Sequence, residues 1–108
     1  MFCYKITYHI GRLQIMVFSI ANIKKAQERI AGKVYRTPVL RADKLDALVG
    51  AEVYLKPENL QLTGSFKIRG AMNKILSLSD EERAKGIIAS SSGNHAQGVA
   101  YAAKMLGV

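Results

Sequence analysis

A chain of 108 residues suffices for one small domain with a modest core and is too short for two. Hydrophobic residues make up 49%, the composition of an ordinary folded protein. The net charge of +8 would suit an anionic partner, but the basic residues are spread out, Lys24 and Lys25 are the only adjacent basic pair, and no zinc or helix-turn-helix spacing occurs, so nucleic acid is not an expected partner.

Cys3 is the only cysteine, which excludes an intrachain disulfide and a cysteine metal cluster. The longest apolar run, Leu13 to Ala21, is interrupted by Gln14 and Ser19. It is far short of a membrane span and no small-x-small cleavage signal follows it, so a cytoplasmic location is the expectation.

In chain order, residues 1–15 show no sustained period, and a well-formed pattern begins only after Met16. The first fifteen residues therefore read as a non-native or disordered extension and Met16 as the natural start. From Ser19, an N-cap candidate, Ile20, Ile23, Ala26 and Ile30 recur at helical spacing, with Gly32 as a stop. Thr37-Pro38 demands extended backbone, so Tyr35 to Leu40 is expected to be a strand-like connection. Asp43 to Val49 predicts a short helix ended by Gly50, and Glu52 to Lys56 a strand closed by Pro57.

The stretch Thr63-Gly64-Ser65-Phe66-Lys67-Ile68-Arg69-Gly70 places a lysine where a glycine-containing loop gives way to a helical pattern carried by Ile68, Ala71, Met72, Ile75 and Leu76. An ammonium in a first helical turn faces unpaired N–H groups and the positive end of the helix dipole. That surrounding favours the neutral amine, a nucleophile able to attack a carbonyl compound.

Beyond it, Ser79-Asp80-Glu81-Glu82 is a capping box opening another short helix that Gly86 ends. Ile87-Ile88-Ala89 reads as a short strand buried on both faces. A turn follows, and from His95 the positions Ala96, Val99, Ala100, Ala103 and Leu106 predict an amphipathic helix stopped at Gly107. Strand, loop, helix, strand is the parallel α/β pattern. Ser91-Ser92-Gly93-Asn94-His95 then lies between a strand and a helix N-terminus, where free N–H groups, two hydroxyls and a glycine suit a carboxylate or phosphate. Neither a G-x-G-x-x-G fingerprint nor a P-loop is present.

Three stretches together, Lys56-Pro57-Glu58-Asn59-Leu60-Gln61, Thr63 to Ala71, and Ser91 to Ala100, resemble the threonine ammonia-lyases (threonine dehydratases), pyridoxal-phosphate enzymes of the tryptophan-synthase-β-like group. The similarity runs from about Ile20 to Val108. It implies an N-terminal fragment of a two-domain parallel α/β enzyme of fold type II, with residues 16–108 forming the N-terminal part of the catalytic domain, truncated at the C-terminus. It also implies that Lys67 is the lysine joined covalently to pyridoxal 5'-phosphate, that Asn94 hydrogen-bonds the cofactor's ring hydroxyl, and that Phe66 packs beside it. Ser91, Ser92, Gly93, Asn94 and His95 fall in the loop that in this family receives the substrate α-carboxylate. The implied reaction is deamination of L-threonine or L-serine to 2-oxobutanoate or pyruvate, in biosynthesis or catabolism, by a homo-oligomer.

Two departures qualify the resemblance. Many threonine ammonia-lyases carry alanine where this sequence has Ser92, and serine racemases of the same group carry serine, which in them is an acid or base. A racemase or mixed dehydratase is therefore the second expectation. The glycine-rich loop that cradles the cofactor phosphate is missing, so the 108 residues alone are expected to bind the cofactor poorly and be inactive. If they form the whole product, the remaining expectation is a non-catalytic remnant or interaction module.

Overall fold

A computed structural model describes residues 18–108. The expected extension of residues 1–15 and the start at Met16 lie outside the described residues. Helix α1 spans Ile20–Ile30, strand β1 Leu40–Arg41, helix α2 Asp43–Val49, strand β2 Tyr54–Leu55, helix α3 Lys67–Leu76, helix α4 Asp80–Ala84 and helix α5 Asn94–Leu106, with a 3-10 turn at Glu58–Leu60 before α3. No helix among the described residues is long and apolar enough to cross a membrane.

The helix ends follow local chemistry. Ser19 precedes α1 and donates its backbone N–H to the Asn22 side chain at 2.9 Å. Ser79 and Glu82 form a reciprocal box at the start of α4: Glu82 N–H donates to Ser79 Oγ at 3.1 Å, and Ser79 N–H donates to Glu82 Oε2 at 2.8 Å. Gly50 and Gly107 close α2 and α5 with φ of +70° and +69°, a region that a side chain makes costly.

The core is the seam between α3 and α5. Ile68, Ala71, Met72 and Ile75, spaced to fall on one face of α3, are buried with Ala102 of α5, and Ile30, Val34, Ile87, Val99 and Leu106 pack around them. Arg29 of α1 adds a 2.6 Å hydrogen bond to Asn73 Oδ1 of α3.

The strands depart from expectation. β1 and β2 are each two residues long and pair antiparallel, Leu40 opposite Leu55 and Arg41 opposite Tyr54. Ile87-Ile88-Ala89 forms no strand: it lacks a pairing neighbour among the described residues, and Ile88 is 100% exposed rather than buried. A parallel strand owes its ladder bonds and both covered faces to flanking elements, so an apolar triplet without them stays an unpaired segment.

Candidate functional site

The site is built where two helix N-termini meet. The backbone enters α3 through a turn in which Gly64 has φ +67°, and the helix begins at Lys67 itself, with Phe66 in the preceding position making no side-chain cap. Lys67 is half-buried, and its Nζ lies 5.0 Å from the centroid of the exposed Phe66 ring.

Helix α5 starts at Asn94, one residue earlier than its period predicts, with Gly93 in the capping position. Ser91 Oγ accepts the Gly93 N–H at 3.3 Å, which tightens the loop. Gly98, in the second turn of α5, sits against the start of α3. That contact brings α5's first turn beside Lys67, although 27 positions separate Lys67 from Asn94 in the sequence.

The consequence is a cleft of about 450 Å³ whose walls include Phe66, Lys67, His95, Val99, Ile87 and Ile88. Phe66, Lys67 and His95 are thus brought together. Ser91, Ser92, Gly93 and Asn94 do not line this cleft; they are exposed at the mouth of α5 beside it. Two buried hydroxyls in the loop entering α3, Thr63 Oγ1 and Ser65 Oγ, have no hydrogen-bond partner among the described residues, and Ser65 is only 7% exposed. Orphan hydroxyls are costly, and both lie in the loop just before Lys67, outside the lining of the cleft.

A polar network missed by sequence reasoning fixes the segment before α3. Glu58 is 17% exposed at its side chain and takes a forked pair of bonds from Arg69, Nε to Oε2 at 2.8 Å and NH2 to Oε1 at 2.7 Å. Thr37 Oγ1 donates to the same carboxylate at 2.6 Å, and Arg69 also donates to the Tyr35 carbonyl at 2.9 Å. Arg69 holds the Glu58 carboxyl down, from 4.5 to about 2; burial opposes this, while Thr37 and the charge of Lys56 assist. Gln61, buried, brackets Tyr35 by accepting its N–H at 2.9 Å and donating to its carbonyl at 2.8 Å. The sequence signal was the opposite charge of Glu58 and Arg69 on either side of the lysine loop.

This geometry suits a planar group with an apolar ring, a carbonyl for an amine and polar substituents for hydroxyls and free helix N–H groups. The protein-family model described as pyridoxal-phosphate dependent enzyme matches residues 30–108, which include every one of these features. The chain belongs to this family. The resemblance read from the three motifs holds: the chain is 52% identical over 92 residues to the L-threonine ammonia-lyase of Thermotoga maritima, covering 85% of this chain and 23% of that protein. Among solved structures it is similar to maize serine racemase, with a TM-score of 0.79 and 50% identity over 82% of this chain and 28% of that one. It is also similar to the T.th. threonine deaminase, with a TM-score of 0.76 and 53% identity over 84% of this chain and 32% of that one. The chain spans about a quarter of the length of the curated relative.

Within this pyridoxal-phosphate family the cleft's residues fit the cofactor. The cleft carries an amine at Lys67, an imidazole at His95 and apolar walls at Val99 and Ile87, a lining that suits an aldehyde-bearing aromatic ring.

Proposed function

We propose that the protein carrying this sequence eliminates ammonia from L-threonine, and from L-serine, to give 2-oxobutanoate or pyruvate. The observation that supports this most is the meeting of α3 and α5 at their N-termini, which sets a half-buried lysine beside a loop of hydroxyls and helix N–H groups. Lys67 Nζ would hold pyridoxal phosphate covalently, Phe66 would cover it, and Asn94 would hydrogen-bond the ring hydroxyl. When bound, the cofactor supplies an electron sink that makes the substrate Cα–H acidic.

The remaining work falls to this chain's groups. The N-terminus of α5 with Ser91, Ser92, Gly93 and His95 receives the substrate carboxylate, because its N–H groups and dipole favour an anion. Once the substrate amine has displaced Lys67 Nζ from the cofactor, that freed amine would take the Cα proton as a base, with the fixed carboxylate orienting the bond toward it. The β-hydroxyl then leaves as water, and the released enamine hydrolyses to the keto acid and ammonia.

The finer architecture is part of the same proposal: a homo-oligomeric, cytoplasmic enzyme of two parallel α/β domains. The isolated 108 residues are inactive, a reading supported by the open cleft and by Ile88, which is wholly exposed at its wall.

Ser92 supports a second reading, serine racemization, consistent with the likeness to maize serine racemase. D-serine appearing from L-serine, beyond what keto acid formation accounts for, would favour it.

The test of the main reading is Lys67→Ala in the native protein. Borohydride reduction with pyridoxal phosphate labels the residue 67 peptide in the unmodified protein, and the variant loses both that label and ammonia release from L-threonine. Ammonia release that survives the substitution would contradict the assignment.

A further inference from the structure

Gly98 occupies the interior of α5, where glycine is the poorest helix former after proline. A side chain in its place would meet backbone rather than a yielding side chain. A Cβ built at residue 98 lies 3.1 Å from Ile68 N, 3.1 Å from Lys67 C and 3.3 Å from Lys67 O. At every other glycine among the described residues a Cβ would meet only open space within 4 Å. Four residues further along the same face of α5, Ala102 is fully buried in the seam. At Gly98 the helices therefore come into close approach, and the atoms α5 meets there belong to the peptide that carries the Lys67 side chain.

We propose that Gly98 is a positioning residue for Lys67: its missing side chain lets α5 seat directly on the Lys67–Ile68 peptide, which fixes where the Lys67 amine stands relative to the loop at the mouth of α5. This rests on the reading of Lys67 as the cofactor lysine. The backbone of Lys67 lies in the first turn of α3, without a preceding turn of helix to hold it. Contact with α5 supplies that restraint. His95 is three residues before Gly98, on the same side of α5, so the contact that locates the lysine also sets its distance from the proposed carboxylate loop. A methyl group at 98 pushes the two apart by moving backbone atoms, and an error of this size at a reacting amine matters more than its effect on folding.

Gly98→Ala in the native protein tests this, with Ala102→Gly as the matched seam variant that changes packing without touching the Lys67 peptide. Each is incubated with pyridoxal phosphate, reduced with borohydride and mapped by peptide mass spectrometry, and the visible circular dichroism of the bound cofactor is recorded before reduction. Gly98→Ala is expected to lower the rate of labelling at Lys67 by about tenfold and to alter the dichroic band. Ala102→Gly is expected to retain both. Equal labelling and an unchanged band in Gly98→Ala would overturn the proposal. Label settling on another lysine in the unmodified protein would instead sink the cofactor reading. If Gly98→Ala does not fold, by far-ultraviolet dichroism, the decision passes to the unmodified protein: slow hydrogen exchange at the Ile68 amide sustains the contact, and exchange at the rate of a free peptide overturns it.

Discussion

Two regions of this chain are held together by different means. The seam of α3 and α5 is dry: Ile68 and Met72 are 0% exposed, and its contacts are apolar. The unit of β1, α2 and β2 is held by charge. Arg41 reaches Asp46 at 2.8 Å and Glu52 at 2.7 Å and lies over the Tyr54 ring, and Asp46 accepts the Val53 N–H at 2.6 Å, while Leu48 and Val49 face outward. Burial resists displacement in every direction, whereas exposed ion pairs are soft and screened by salt. The lysine stands on the rigid region, as a reacting group must.

Truncating each region is the sharpest way to break that contrast. In the 108-residue chain, Met72→Ala should cost about 2–5 kcal/mol, as for other filled core sites, and Leu48→Ala, at a residue 80% exposed, about 0.5 kcal/mol or less. Urea midpoints for the two would measure it, and equal losses would erase the distinction.

Between the two regions lies the Glu58–Arg69 fork, polar but largely shielded. A carboxyl lowered from 4.5 to about 2 in the folded state stabilises fully above its unfolded value, and that contribution fades as pH falls from 4.5 toward 2. Glu58→Gln should therefore cost about 2 kcal/mol at neutral pH and flatten the acid limb of the stability profile. An acid limb identical to that of the unmodified chain would show that the fork contributes nothing. Arg41→Ala sits at the small end: roughly 0.5 kcal/mol, disappearing in molar salt, since half-exposed pairs are weak. A loss that persists at high salt would make the β1–α2–β2 unit a packed one after all.

What could be foreseen from the residues divides along the same physical line. Helices were legible because their signals are local: the Ser79–Glu82 box, the stops at Gly50 and Gly107 and the Ile68–Met72–Ile75 face all lie within one turn or one element. Lys67 was legible for the same reason, as the residue at which loop becomes helix. The strand expected at Ile87–Ala89 does not form, since pairing is decided by elements elsewhere. Neither the fork, whose Thr37 lies 21 residues from Glu58, nor the approach of Gly98 to Lys67 was legible, because both depend on where the chain returns in space. His95 joins Lys67 in the cleft by that same return.

A crystal structure of the native protein grown with pyridoxal phosphate would bear most directly on the placement of Lys67. Continuous electron density should run from Lys67 Nζ to the cofactor, with the ring beside the α5 N-terminus and Asn94 within hydrogen-bond reach. Density joined to Lys56 or Lys74 instead, or a cofactor seated away from the mouth of α5, would contradict it.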